Sequence, residues 1–365
     1  MFLWYTGSML ISLSLFKVLL PALFSFAIGI FLSSPLISTF KKYQIWKKKS
    51  VKTNIDGTIA TITSTLHNDE ERKLLRMGGV TIWASVFITT SIFLFVSHAF
   101  PSLITSKLDF ISRNQTWLPL VAMFVGAFVG GVDDLLVVEA FKGRLNSYIG
   151  GGLSFPVRLA AVALLGLSMG VWFFYKLGMH AVYIPFYGQI ILPALIFILF
   201  FIIVTIALFS TSVIDGVDGL SGGIFSAIFT AYGFIAFHQE QIDIAALCFM
   251  IVGGILAFLW FNVPPATFMM GETGIMALTL SLSIIAFLTD AVMYLPIIAL
   301  PLVITTGSVI LQLIWKKVFK KKLFLVAPLH HHFEAKGWAK AQVTMRYWIV
   351  SYICALLGAV IVIIS

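Results

Sequence analysis

The sequence predicts an all-α polytopic integral membrane protein of about ten transmembrane helices, and three observations carry that expectation. Of the 365 residues, 60% are hydrophobic and 11% charged, whereas soluble domains run at roughly 45–50% apolar and 25% charged. The apolar residues fall in repeated runs of about 20, long enough to cross the hydrocarbon core as helices that satisfy their own backbone hydrogen bonds. The basic residues gather between alternate runs, as cytoplasmic loops require. Alternating ten-residue segments of a transmembrane barrel do not dominate.

The first span covers 12–38 and lacks a small-residue cleavage signature, so it reads as a retained helix. Lys41, Lys42, Lys47, Lys48, Lys49 and Lys52 follow it, and Arg72, Lys73 and Arg76 precede the second span, 78–98. The third, 117–136, is followed by Lys142, Arg144 and Arg158, with the fourth at 156–175. The fifth to ninth spans are 189–208, 219–237, 243–262, 271–289 and 293–315. A basic run from Lys316 to Arg346 leads into the tenth, 343–364. Of 24 basic residues only Lys17, Lys107, Arg113 and Lys176 fall on the other side, so both termini are expected outside and the basic loops inside. Topology and anionic headgroups account for the net charge of +9 without a nucleic-acid partner. Residues 1–365 read as one transmembrane domain, with cytoplasmic loops at about 39–77, 137–155, 209–218, 263–270 and 316–342. No internal repeat is visible, which argues against an inverted-repeat transporter. Cys248 and Cys354 lie inside apolar segments and form neither a disulfide framework nor a metal spacing.

Five of the 15 acidic residues stand at the cytoplasmic ends of spans: Asp133, Asp134, Asp215, Asp218 and Glu272. Carboxylates at the hydrocarbon boundary are costly to desolvate, so function is the default reading, with helix capping the bland alternative. The neighbours in "GVDD" repel unless a cation sits between them. In "DGVDGL", Asp215 and Asp218 have i, i+3 spacing at a helix start, where exposed N–H groups favour anions. "FLWFNVPPATFMMGE" carries Asn262 and brings Glu272 to the next helix start, either as a first-turn acid or as a hard oxygen ligand. A transporter coupling ions through carboxylates predicts acids near the bilayer midplane; these cluster at one rim.

The most specific stretch is "APLHHHFEAKGW", Ala327 to Trp338, which sets His330, His331 and His332 in a loop on the same side as the carboxylates. Their near-neutral pKa suits proton handling beside phosphates. A zinc cluster is not expected, since no cysteine is near and three adjacent side chains do not readily share one ion.

Together with "RMGG", "GVDD", "DGVDGL", "FLWFN", "MGE" and "RYWIVSYICALLG", this loop resembles the MraY family, the phospho-N-acetylmuramoyl-pentapeptide transferases of bacterial peptidoglycan synthesis, from Arg76 to the last span. Related polyprenyl-phosphate sugar-1-phosphate transferases share the aspartate motifs but lack the triple histidine. The resemblance implies transfer of phospho-MurNAc-pentapeptide from its UDP donor to undecaprenyl phosphate, giving lipid I and UMP, in the bacterial cytoplasmic (inner) membrane. It implies Mg2+ as cofactor and a homodimer as the family state. By motif position Asp133, Asp134 and His330 are the catalytic candidates, and Glu272 with Asp133 the metal ligands. Asp215, Asp218, Asn262, His331 and His332 are the substrate-binding candidates.

The sequence departs from the family pattern at several of these places. Glu272 stands for aspartate, an arm longer by about 1.5 Å. Ile275, Ser212 and Val137 replace a serine, an asparagine and a lysine, and Met269 takes the place of an aromatic, beside Phe268. The rival readings are a transferase of another UDP-N-acetylhexosamine, such as the GlcNAc-1-phosphate type, and a catalytically silent paralogue.

Overall fold

Ten helices long and apolar enough to cross a membrane follow one another in the computed structural model, which describes residues 2–46, 74–102, 116–138 and 152–365, with side chains from Ser14 onward. They are α1 (Phe2–Lys42), α2 (Gly79–Ala99), α3 (Trp117–Val137), α4 (Phe155–Tyr175), α5 (Ala194–Phe209), α6 (Leu220–His238), α7 (Ile242–Asn262), α8 (Gly271–Leu288), α10 (Leu300–Phe319) and α12 (Lys340–Ile364). Short helices α9 (Leu295–Ile298) and α11 (Leu329–Ala335) lie between them, and strands β1 (Ala181–Ile184) and β2 (Gly188–Ile191) form an antiparallel hairpin. The chain is a multi-pass membrane protein. The basic residues Lys47, Lys48, Lys49, Lys52, Arg72, Lys73, Lys107, Arg113, Lys142 and Arg144 lie outside the described residues, as does most of the expected loops 39–77 and 137–155.

The expected spans match the helices within a few residues except at three places: α1 begins at Phe2, ten residues before the expected start at 12, and proline explains the other two. The fifth span was expected from 189, but Gly188–Ile191 pairs with β1 and α5 begins only after Pro193. An apolar run has the same hydropathy as strand or helix, and the proline sets the boundary. The ninth was expected from 293, but Pro296 and Pro301 divide the segment into a 3-10 turn, α9 and α10. α10 then runs on to Phe319 and carries Lys316 and Lys317 in its last turn, where cations suit the helix dipole.

The middle of the molecule is α6, α7 and α8, with 83%, 78% and 94% of their most apolar windows buried, against 22% or less for α1, α4, α10 and α12. Between helices that all prefer lipid-like surroundings, small residues and hydroxyls decide which faces meet. Ser25 Oγ donates to Ser85 Oγ at 3.2 Å, and Ser33 and Thr81 hydroxyls meet at 3.2 Å, fixing α1 on α2. Lys17, an exception to the charge pattern, is neutralised by an ion pair with Asp243 in the first turn of α7.

α3 crosses α8 in backbone contact. A Cβ at Gly126 would stand 2.5 Å from Met276 O, and one at Gly130 would stand 2.2 Å from Glu272 O. Only glycine permits this approach, and it brings the "DD" end of α3 against the first turn of α8.

Candidate active site

The site assembles around the N-terminus of α8. Residues 74–79 run alongside 268–270: Met269 N donates to Leu75 O at 2.9 Å, Gly78 N to Met269 O at 2.8 Å and Gly79 N to Met270 O at 2.8 Å. This docking delivers Arg76, whose Nε lies 3.3 Å from Asp134 Oδ1. The other Asp134 oxygen accepts from Thr273 N at 3.0 Å. Gly271, at φ +73°, turns the chain into α8; a Cβ there would stand 2.4 Å from Asp134 Oδ2. Glycine is therefore required twice over, for its backbone angle and for the space the carboxylate occupies.

Asp133 points to the other side. Its Oδ1 accepts from Leu153 N at 2.6 Å, and its Oδ2 lies 3.5 Å from Arg158 Nη1. The same Nη1 donates to Glu272 Oε1 at 3.1 Å, so Arg158 bridges Asp133 and Glu272. Glu272 Oε2 is buried and accepts no hydrogen bond among the described residues.

Asp215 also holds the α8 terminus. Its Oδ2 accepts from Gly271 N at 2.8 Å and its Oδ1 from Ser221 Oγ at 2.9 Å. Burial pushes its carboxyl above the usual range, while the Gly271 N–H, Ser221 and the Arg76 charge pull it back. Orphan N–H groups at a helix start are natural carboxylate sites. Here Asp134 and Asp215, from two other helix ends, occupy two of them.

A second group borders the first. Asp218 Oδ2 accepts from Ala266 N at 3.0 Å. Asn262 Oδ1 accepts from Gly219 N at 3.0 Å, and its Nδ2 donates to Phe268 O at 2.7 Å, so this buried amide ties the 215–219 turn to the 268–270 segment. In α11, Leu329 N donates to Ser308 Oγ at 3.0 Å, which fixes the short helix on α10. His330 is fully buried, its ring 4.2 Å from that of His331. Both face the aspartate motif: a Cβ on Gly216 would stand 3.3 Å from His330 Nε2 and 3.1 Å from His331 Nε2. His331 Nδ1 lies 3.5 Å from Glu334. His332 turns the other way and accepts from Leu325 N at 3.1 Å through Nδ1. Burial and then Lys336 lower its pKa, consistent with the unprotonated nitrogen that such an acceptor needs.

The structure thus joins Asp133, Asp134, Asp215 and Glu272 at one helix start, sets His330 and His331 over Gly216, and leaves Asp218 and Asn262 as ties beneath. Phe268, the neighbour of Met269, is 2% exposed, packed edge-on against Phe258 and stacked on Phe261, so it offers no face to a ligand ring. Val137 and Ile275 are buried apolar residues. Sequence reasoning missed Arg76 and Arg158 as site residues, having assigned both to topology. The available signal was that Arg158 lies inside a predicted span, where an arginine needs a partner.

Comparison with known proteins fits this constellation. The glycosyl transferase family 4 model matches residues 116–290. The phospho-N-acetylmuramoyl-pentapeptide-transferase of Listeria monocytogenes is 33% identical over 291 residues, covering 79% of this chain and 85% of the relative. The chain belongs to the phospho-N-acetylmuramoyl-pentapeptide-transferase family. Proteins of that name from Latilactobacillus sakei (35% over 244 residues, 66% of this chain and 73% of the relative) and Chlorobium phaeobacteroides (32% over 314 residues, 77% and 78%) are further relatives. The family match spans α3 to the end of α8, which contains every carboxylate of the site, whereas the histidine helix lies beyond it.

Magnesium fits the residues present in one respect: Asp133 and Glu272 are hard oxygen donors, and Glu272 keeps a buried oxygen unused. Among the described residues no three His, Cys, Asp or Glu side chains already converge as a metal cage. Magnesium commonly takes one or two carboxylates and completes its shell with water and phosphate oxygens.

Proposed function

We propose that this protein transfers phospho-MurNAc-pentapeptide from UDP-MurNAc-pentapeptide to undecaprenyl phosphate, giving lipid I and UMP. The observation that carries the reading is the meeting of three carboxylates and two arginines at the start of α8, in a chain homologous to transferases of that name over most of its length. In the reaction, an oxygen of the lipid phosphate attacks the β-phosphorus of the donor. The new P–O bond forms as the bond from β-phosphorus to the bridging oxygen breaks, and UMP leaves with that electron pair.

Magnesium, when bound, neutralises the pyrophosphate and the charge on the departing phosphate. Asp133 and Glu272 would hold it. Arg76 and Arg158 supply positive charge that no proton equilibrium removes, and Asp134, clamped between Arg76 and Thr273 N, keeps the α8 start in register. His330 and His331, over Gly216, stand where phosphates held at the aspartate motif can receive hydrogen bonds. The site faces the cytoplasm and both termini face outward in the bacterial inner membrane, in keeping with the distribution of basic residues. The working form is a homodimer.

The test is UMP release by purified protein in undecaprenyl phosphate micelles. Release is expected from UDP-MurNAc-pentapeptide only with magnesium and the lipid phosphate present, not from UDP-GlcNAc, and is expected to be lost in Asp133→Asn and His330→Ala proteins that remain folded. A folded wild-type protein that releases no UMP under these conditions refutes the reading; release from UDP-GlcNAc alone transfers it to the other hexosamine.

A further inference from the structure

The Arg158 bridge does something that the proposed reaction does not by itself require. Its Nη1 reaches Glu272 Oε1 at 3.1 Å and Asp133 Oδ2 at 3.5 Å, so one guanidinium nitrogen sits between the two carboxylates best suited to a divalent cation. The contact depends on the side chain at 272. An aspartate there would be shorter by about 1.5 Å, too far for this hydrogen bond from the same backbone position. The backbone cannot easily advance to compensate, because Glu272 O is already against Gly130.

Charge states the same point. Four carboxylates, Asp133, Asp134, Asp215 and Glu272, gather at the α8 start against the two guanidiniums of Arg76 and Arg158, so acid outnumbers base by two there. Two buried polar atoms, Arg158 Nε and Glu272 Oε2, hydrogen-bond to nothing among the described residues. A group held at one nitrogen while its neighbours go unused is poised to exchange partners, since unsatisfied buried donors and acceptors are costly to keep.

We infer that Arg158 is an internal stand-in for the divalent cation: it holds Asp133 and Glu272 together in the metal-free protein, gives up Glu272 when the cation binds, and then takes the diphosphate of the donor. The inference rests on the proposed phosphotransfer for the identity of that diphosphate. It makes cation and diphosphate binding sequential, because the guanidinium becomes available to phosphate only after the cation has displaced it. A diphosphate matches its planar fork, which binds two oxygens at once.

Binding of Mn2+ by the full-length protein, followed as loss of the free-ion EPR signal, and binding of inorganic pyrophosphate at saturating Mn2+ by calorimetry, test this in wild type and Arg158→Gln. Removal of the competing charge is expected to tighten Mn2+ by about threefold or more, and to weaken pyrophosphate by about tenfold. Opposite signs are the signature, since a residue that merely supports the fold would weaken both. Arg158→Lys, which keeps the charge but loses the fork, should move both quantities the same way to a smaller extent, and serves where Arg158→Gln does not fold. Unchanged Mn2+ affinity, a shift of both ligands in one direction, or no Mn2+ binding by wild type overturns the inference. If the opposing shifts appear while wild type releases no UMP, the proposed donor falls and the exchange stands.

Discussion

Replacing Asn262 with alanine separates a positioning role from a ligand-contacting one. The amide makes two bonds to backbone: Gly219 N–H donates to Oδ1 at 3.0 Å, and Nδ2 donates to Phe268 O at 2.7 Å. Asn262, Gly219 and Phe268 are all buried, so alanine would strand one donor and one acceptor out of reach of water. At about 1–3 kcal/mol for each unsatisfied group, the loss comes to about 2–6 kcal/mol. Asn262→Asp is the informative partner, because it retains the acceptor for Gly219 but sets a carboxylate oxygen against the Phe268 carbonyl. It should cost at least as much as alanine. Unfolding of the purified proteins by SDS titration in mixed micelles, read by far-UV circular dichroism, gives the difference. If Asn262→Ala unfolds at the wild-type midpoint with the wild-type slope, the two bonds contribute nothing measurable. The positioning argument then fails, leaving only a direct substrate contact to explain the residue.

Three further outcomes are expected. Asp243→Asn should destabilise the protein by removing the carboxylate charge that pairs with Lys17 inside the bundle, and adding Lys17→Met should recover part of that loss; a single-variant stability equal to wild type refutes the pairing argument. Gly130→Ala should lower UMP release far more than it lowers expression, because the new methyl group meets the backbone of Glu272 and must push the "DD" end of α3 away from α8; undiminished release would show that this close approach does not set the site. Glu272→Asp should retain or raise magnesium-dependent turnover whereas Glu272→Gln should abolish it, and equal activity in the glutamine variant would remove residue 272 from the ligand set.

Much of this site was legible in sequence because its chemistry is expensive. Carboxylates at the ends of apolar spans have few bland explanations, so Asp133, Asp134, Asp215, Asp218 and Glu272 stood out, and the structure sets four of them around one helix start. Arginine at or near the end of a span has an ordinary explanation, the positive-inside bias, and that hid Arg76, just before α2, and Arg158, in the first turn of α4. The three histidines were conspicuous together, but adjacent side chains on a helix diverge by about 100°. A run of three therefore cannot share one surface, and His332 turns instead to the chain at Leu325.

By itself the sequence determined the number of membrane-crossing helices, the carboxylates at their ends and the family motifs, because hydropathy, charge and residue type are properties of short stretches of chain. Tertiary structure alone decided which groups meet. Residues 74–79 align on 268–270, which are distant in the chain. Gly126 and Gly130 let α3 lie directly on α8, and Arg158 of α4 comes between Asp133 and Glu272. Each of these is a contact between segments whose sequences carry no mark of the partner. Their pairing follows from which faces can approach most closely, and that depends on every helix at once.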